Sequence, residues 1–256
     1  MKVVILAGGL GTRLAEETEV KPKPLIEIGG RPILWHIMKH YAHYGFTEFF
    51  IALGYKGEAI KRFFTEYSTL DGNMIIEPAA GKIQTSDKTC ENWKIHLLDT
   101  GAETMTGGRL KRLTTWLKDE TFMLTYGDGV CDVDLKALLA FHLAKGRTAT
   151  VTAVRPPARF GGLVLKDDLV TEFTEKAQIQ VGWINGGFMV FEPEIFKYLA
   201  DDHASLEHHA LEVLAAKEQL TAYRHEGFWQ CMDTLRDKRQ LEGLWQSGQA
   251  PWRVWA

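Results

Sequence analysis

Residues 3–14 read Val3-Val4-Ile5-Leu6-Ala7-Gly8-Gly9-Leu10-Gly11-Thr12-Arg13-Leu14, and their reading decides the fold. Val3 to Ala7 is an unbroken apolar run, rich in β-branched residues and closed by glycine. A run without polar alternation predicts a strand covered on both faces, as in a parallel sheet between helices. The glycines predict a loop beyond the carboxyl end of that strand. α/β folds bind phosphate at such a place, because backbone N–H groups point outward there.

The chain keeps alternating beyond this loop, which runs to about Gly30. Pro32 suits a first helical position, with Ile33, Ile37, Met38 and Tyr41 following at helical spacing. Strands are predicted at 49–53, 95–98, 121–126, 148–154, 188–191 and 221–224. Helices are predicted at 59–67, 108–117, 135–144, 194–199, 206–214 and 235–245. Gly162 to Glu175 reads as a hairpin turning at Lys166-Asp167-Asp168. Strands alternating with helices predict an α/β fold with a mainly parallel sheet flanked by helices. We expect one domain over 1–256. A nucleotide-binding part takes about 1–150, and a sugar-phosphate-binding part with a small β-rich insert takes about 151–256.

Composition sets limits. The 256 residues are 45% hydrophobic and 25% charged, which is ordinary for a globular chain and excludes disorder as the main state. A formal net charge of -3 gives no overall basic field for nucleic acid. Cys90, Cys131 and Cys231 are too few and too scattered for a disulfide framework or a paired-cysteine zinc site. The N-terminal apolar run is too short for a signal peptide, and no stretch reaches the roughly 20 apolar residues of a membrane span. The expected location is cytoplasmic.

The first loop excludes two familiar phosphate binders. Leu14 stands where a dinucleotide fingerprint needs its third glycine, and Gly11-Thr12-Arg13 lacks the Gly-Lys-Ser/Thr end of a P-loop. Glycine still lets backbone approach a ligand closely, and Arg13 offers a planar cationic fork for phosphate oxygens. Lys21-Pro22-Lys23-Pro24 presents two lysines on a stiff segment. Together these suit a polyanion such as a nucleoside triphosphate. The plain alternative is a solvated basic loop that tolerates glycine.

Two carboxylates stand out. Asp128 follows a predicted buried strand between Gly127 and Gly129, a good place for a metal held by one or two carboxylates plus phosphate oxygens. Asp132 and Asp134 could compete as ligands, but they precede Leu135 and read better as helix caps. Asp233, in Phe228-Trp229-Gln230-Cys231-Met232-Asp233-Thr234, also reads by itself as an N-cap. Glu175-Lys176 reads as an exposed ion pair, Asn185-Gly186-Gly187 as a turn and His208-His209 as surface or packing. Trp252 and Trp255 suggest a docked tail or a subunit contact.

The motif Leu6 to Leu14, then Lys21-Pro22-Lys23-Pro24-Leu25, then Gly127-Asp128-Gly129 resembles the sugar-1-phosphate nucleotidyltransferases. Further stretches add to it: 21–39, Met105 to Arg112, Thr125 to Gly129, Asn185 to Phe188, and Phe228 to Lys238. The resemblance implies a Rossmann-like nucleotidyltransferase fold. It implies transfer of a cytidylyl group from CTP to α-D-glucose 1-phosphate, with Mg2+ as cofactor and CDP-glucose and pyrophosphate as products. CDP-glucose usually feeds deoxysugars of bacterial O-antigen. A relative using UTP, dTTP or GTP, or a non-catalytic sugar-nucleotide-binding regulatory subunit, is the alternative. The partners implied are the substrates and further copies of the chain, up to a hexamer.

The same resemblance assigns residues. Leu6, Ala7, Gly8, Gly9, Gly11, Thr12, Arg13, Lys23, Thr104, Arg109, Gly127 and Asp128 are expected to hold the nucleotide. Arg13, Lys23 and Asp128 are expected to be catalytic, and Asp128 with Asp233 to hold the metal, which reverses the capping reading of Asp233. Tyr126, Glu175, Lys176, Asn185 and Gly186 are expected around the sugar phosphate. Ala177 and Cys131 depart from the family pattern, where proline and alanine are common.

Overall fold

The computed structural model describes residues 1–9, 21–87, 89–156, 162–166, 169–174 and 182–255. Its centre is an eight-stranded sheet. The strands are β1 (Lys2–Ala7), β2 (Glu48–Leu53), β3 (Lys94–Asp99), β4 (Phe122–Tyr126), β5 (Ala149–Val154), β6 (Ile184–Asn185), β7 (Met189–Phe191) and β8 (Leu220–Arg224). β1 pairs in parallel with β2 on one side and β4 on the other, β2 with β3, and β5 with β8. β7 is antiparallel to both β4 and β5, and β6 continues its line along β5. The sheet is therefore mixed, with a parallel majority, as expected.

β1 sits in the middle because it is apolar on both faces. Val3, Ile5 and Ala7 enter one core layer, and Val4 and Leu6 the other. β2 divides the same way, Phe49, Ile51 and Leu53 against Phe50 and Ala52. Successive strand side chains point to opposite faces, so an unbroken apolar run is what two covering layers require. The chain leaves β1 toward β2 and β3, then returns to β4 on β1's other side. That reversal opens a crevice beyond the carboxyl ends of β1 and β4, the usual ligand position of an open α/β sheet.

Five longer helices pack around the sheet: α1 (Ile33–His43), α2 (Gly57–Thr69), α3 (Thr106–Arg112), α4 (Leu135–Lys145) and α5 (Leu235–Gln246). Pro32 is the residue before α1 rather than its first member. The helix predicted at 108–117 starts earlier and breaks at Leu113 into α3 and Thr114–Leu117. The segments predicted as ordinary helices at 194–199 and 206–214 differ more. The first is a 3-10 turn over Pro193–Tyr198; the second is a π-helix over Leu206–Leu211 that passes into α-helix at Glu212–Ala216.

The expected hairpin at 162–175 is present as strands Gly162–Lys166 and Leu169–Thr174; its turn at Asp167-Asp168 lies outside the described residues. A second hairpin, Asn73–Glu77 with Lys82–Ser86, has no counterpart in the sequence reading. Its residues are mostly exposed, so no core-directed alternation marks them.

The tail docks. Trp252 is fully buried, stacked near Phe228 and Trp245. Its indole N–H donates to Nδ1 of His36, whose Nε2 sits 2.8 Å from the Ile28 carbonyl. Both ring nitrogens of His36 are thus used by a neutral imidazole. Burial pushes the His36 pKa down from 6.5 to about 4, against smaller opposing effects of the Ile28 carbonyl. Burial does the same to His40, whose Nε2 meets the Val133 carbonyl at 2.9 Å.

Both histidines bind a proton more readily when unfolded. Their contribution to stability is present above the unfolded pKa of 6.5 and is lost as pH falls toward 4. We expect urea-unfolding stability to fall between pH 6.5 and pH 5 by up to about 1.4 kcal/mol per pH unit for each histidine. A flat profile over that interval would show that neither ring is held neutral by the fold.

Candidate functional site

The crevice at the ends of β1 and β4 has a volume of about 440 Å³. One wall is the chain from Leu6 to Gly9, with Lys23 and Pro24. Thr104, Met105, Thr106 and Arg109 form the second, and Tyr126, Gly127, Asp128 and Glu207 the third. The nucleotide residues expected from the sequence, so far as described, gather here: Leu6, Ala7, Gly8, Gly9, Lys23, Thr104, Arg109, Gly127 and Asp128. Gly11, Thr12 and Arg13 lie outside the described residues, as do Glu175, Lys176 and Ala177.

Lys23 is placed by its prolines. Pro22 precedes and Pro24 lies within a single 3-10 turn, Lys23–Leu25, all three residues of which are buried. Lys21 diverges to the surface and pairs with Glu27 at 2.7 Å. Lys23 turns inward, its Nζ 2.6 Å from Asp128 Oδ2 and 2.5 Å from Asp233 Oδ1. Burial alone would lower the lysine pKa. The carboxylates of Asp128 and Asp233 outweigh burial and hold it above its ordinary value.

A small antiparallel ribbon brings the two aspartates together. Gly129–Cys131 pairs with Trp229–Cys231, Gly129 facing Cys231, and the Met232 N–H donates to the Asp128 carbonyl at 2.8 Å. The capping reading of Asp233 is corrected: Thr234 caps α5, and Asp237 completes a capping box with it. Asp233 is left to face Lys23. Asp134 does cap α4, accepting from the N–H groups of Lys136 and Ala137. Asp132 pairs with His225 at 2.8 Å and does not line the crevice. His208 pairs with Glu212 on the surface, in keeping with its expected structural role.

Two carboxylate oxygens converging on one cation form a hard, oxygen-only donor pair. That chemistry fits Mg2+, which takes one or two protein carboxylates and completes its shell with phosphate and water. Cys231 approaches Asp233 Oδ2 at 3.8 Å, but burial pushes its thiol up to about 11, so it is a poor competing ligand.

Arg109 lies in the crevice wall, but its described hydrogen bonds all go to the protein. Nη1 donates to the Leu53 carbonyl, Thr100 Oγ1 and the Gly101 carbonyl; Nη2 donates to the carbonyls of Gly8 and Ala102. The guanidinium thus ties together the chain just beyond β1, β2 and β3. Gly8 and Gly54 make room for it: a Cβ on either would come within 2.4 Å of its atoms. Arg109 thereby shapes the floor of the crevice.

Tyr126 ends β4 and packs its ring against Gly187. Its hydroxyl donates to Glu207 at 2.7 Å. The Asn185 side-chain oxygen accepts from the Gly187 N–H, so the turn expected at 185–187 is real and holds the amide in place. The Gly186 carbonyl accepts from the Trp229 indole at 2.7 Å. Glu207 lines the crevice without having been singled out in the sequence, while Pro24, Met105 and Thr106 lie in quoted stretches but were given no site role. Glu207 lies in a helical segment with no motif around it, so only the folded chain reveals its place.

Alanine at Gly8 or Gly54 must displace the Arg109 guanidinium and leave several buried carbonyls without their donor. Each substitution is expected to cost about 1–3 kcal/mol in urea unfolding and to reduce activity together with it. Unchanged stability in both variants would show that the guanidinium can leave this cage freely.

The sequence matches the nucleotidyl transferase family over residues 2–234. It is 50% identical over 256 residues to a Salmonella typhimurium protein named glucose-1-phosphate cytidylyltransferase, covering 100% of both chains. It is 32% identical to the Dictyostelium discoideum mannose-1-phosphate guanylyltransferase catalytic subunit beta, over 95% of this chain and 64% of that one. The crystal structure of HddC from Yersinia pseudotuberculosis shares the fold, with a TM-score of 0.69 at 23% identity, over 95% of this chain and 99% of that one. The glycine-ended central strand, the buried lysine between two aspartates and this match along nearly the whole sequence agree: the chain belongs to the nucleotidyl transferase family.

Proposed function

We propose that the protein transfers the cytidylyl group of CTP to α-D-glucose 1-phosphate, giving CDP-glucose and pyrophosphate. The observation that carries this reading is the full-length, 50% identity to the Salmonella protein of that name. The charge arrangement of the crevice supports it. The reaction joins two anions, so the site must neutralise charge and set an in-line approach. It needs no general base, because a phosphate monoester has a second pKa near ~6 and is largely ionised at neutral pH.

The chain's own groups divide that work. The backbone at Gly8 and Gly9 lies open toward the triphosphate. Asp128 and Asp233 would hold Mg2+, which would supply Lewis-acid polarisation. The Lys23 ammonium between them would offset the negative charge of the phosphates and the leaving pyrophosphate. Thr104 and the floor fixed by Arg109 position the nucleoside. Tyr126, Asn185 and Gly186 border the sugar side. Arg13, Thr12 and Gly11 keep the phosphate roles that the family resemblance gives them, and Glu175 and Lys176 the sugar-phosphate roles.

The decisive assay is pyrophosphate release with α-D-glucose 1-phosphate, Mg2+ and each of CTP, UTP, dTTP, ATP and GTP. CTP should be preferred by at least tenfold in kcat/KM. Preference for another nucleotide would overturn the cytidylyl assignment and leave the family chemistry intact. Asp128→Asn and Asp233→Asn should each lower kcat by about 10³-fold with the fold retained. Lys23→Ala should lose about 10²-fold. A near-normal rate in any of the three would remove that residue from the mechanism.

We further infer that the protein works as a homo-oligomer. Leu70, Ile75, Ile76 and Ile83, at the end of α2 and on its following hairpin, are each more than half exposed. Surface of that kind is usually covered by a partner. Light scattering should report a multiple of the chain mass, reduced in an Ile76→Lys, Ile83→Lys variant. A monomer in the native protein would refute the assembly.

A further inference from the structure

The third wall of the crevice holds a carboxylate that the mechanism above does not use. Glu207 sits on the π-helix Leu206–Leu211, a rare form that is frequent at functional sites. Three hydroxyls converge on it: Tyr126 Oη at 2.7 Å, Thr106 Oγ1 at 2.7 Å and Ser205 Oγ at 2.8 Å. Burial would raise its pKa. The hydroxyls of Tyr126 and Thr106, with smaller help from its own backbone and Ser205, outweigh that and hold it below the usual value. The carboxylate is therefore charged at neutral pH.

This arrangement fixes where the protons lie. An ionised carboxylate can only accept, so each of the three hydroxyls spends its one proton on Glu207. Thr106 Oγ1 accepts in turn from the Leu206 N–H at 2.9 Å. Each oxygen then has only lone pairs to offer a ligand. The wall made by Thr106, Tyr126 and Glu207 can accept hydrogen bonds but cannot donate them. The crevice is also lined by the backbone of Gly8 and Gly9 and by Lys23.

We propose that Glu207 is a specificity-determining residue of this cleft: by drawing the protons of Tyr126 and Thr106 it makes one wall acceptor-only, so that this wall binds a sugar hydroxyl and turns phosphate away. The hydroxyl belongs either to the ribose of the nucleotide or to the hexose of the sugar phosphate. Both present the same chemistry, a neutral O–H donor. The proposal rests on the reading of the crevice as the nucleotide-sugar site.

The test is steady-state kinetics of wild type, Glu207→Gln and Tyr126→Phe with CTP and α-D-glucose 1-phosphate. It is repeated with 2′-deoxy- and 3′-deoxy-CTP and with singly deoxygenated glucose 1-phosphates. Thermal unfolding is followed in parallel. An amide at 207 puts a donor where three hydroxyls now donate, and phenylalanine at 126 removes one acceptor while keeping the ring. Both variants should raise KM for one substrate by at least tenfold, with kcat changed less than threefold and KM for the other substrate unchanged. One deoxy analogue should be poor with wild type by a similar factor and equally good with wild type and variant. If it is a deoxy-CTP, the wall reads ribose; if it is a deoxyglucose phosphate, it reads the hexose.

Values of KM within twofold of wild type in both variants would overturn the proposal. So would an equal loss on every substrate that tracks a fall in thermal stability, since a strut would behave that way. Should Glu207→Gln fail to fold, Tyr126→Phe carries the same expectations alone. The Lys23→Ala and Asp128→Asn variants separate this failure from a wrong site: if they too keep full activity, the crevice reading fails as a whole.

Discussion

Lys23 holds three distant parts of the chain at one point. Its ammonium meets Asp128 at the end of β4 and Asp233 just before α5, a partner 210 residues away in sequence. A lysine this deeply placed is costly to desolvate, and here two carboxylates offset the cost. Two aspartates side by side would in turn repel each other without a cation between them. The site therefore needs a positive charge at this point at all times. Lys23 provides it here, within 2.6 Å of both carboxylates.

The geometry behind that point comes from the sheet. Four parallel strands end at one edge, and the chain reverses direction on either side of β1. Strand ends in such a sheet carry unpaired carbonyls, and Arg109 satisfies those beyond β1, β2 and β3 with one planar group. The guanidinium has no carboxylate among these partners, and burial lowers its pKa, with Arg112 adding to the effect. Its hydrogen bonds to carbonyl dipoles take the place of an ion pair. A rigid floor results, on which the glycine-opened β1 end can meet a ligand without a side chain intervening.

The crevice is also chemically divided. Lys23 with its two aspartates forms one cluster; Glu207 with its attendant hydroxyls forms another. A nucleotide sugar is divided in the same way, with phosphates at its centre and hydroxylated rings on both flanks. Family members that differ in nucleotide and sugar, such as the cytidylyl and guanylyl enzymes matched here, share the phosphate side of the problem. They have to differ in what surrounds it.

The sequence by itself determined the parts of this protein that depend on local pattern. The apolar runs of β1 and β2 fixed buried parallel strands, because only two covering layers accept side chains of that kind on both faces. The Gly8-Gly9 end, the Lys-Pro pairs and the glycine-flanked Asp128 marked the crevice because glycine, proline and charge beside an apolar run stand out in the local pattern. Asp134 was legible as a cap for the same reason. Tertiary structure decided what depends on neighbours distant in sequence. Asp233 reads locally as a cap, and only the ribbon beside Gly129–Cys131 turns it toward Lys23. Arg109 is expected at the nucleotide from the resemblance, but its bonds to the carbonyls beyond three strands appear only when those strand ends close around it. Glu207 carries no local signal, since a carboxylate acquires a role in a cleft only from the hydroxyls that folding brings to it.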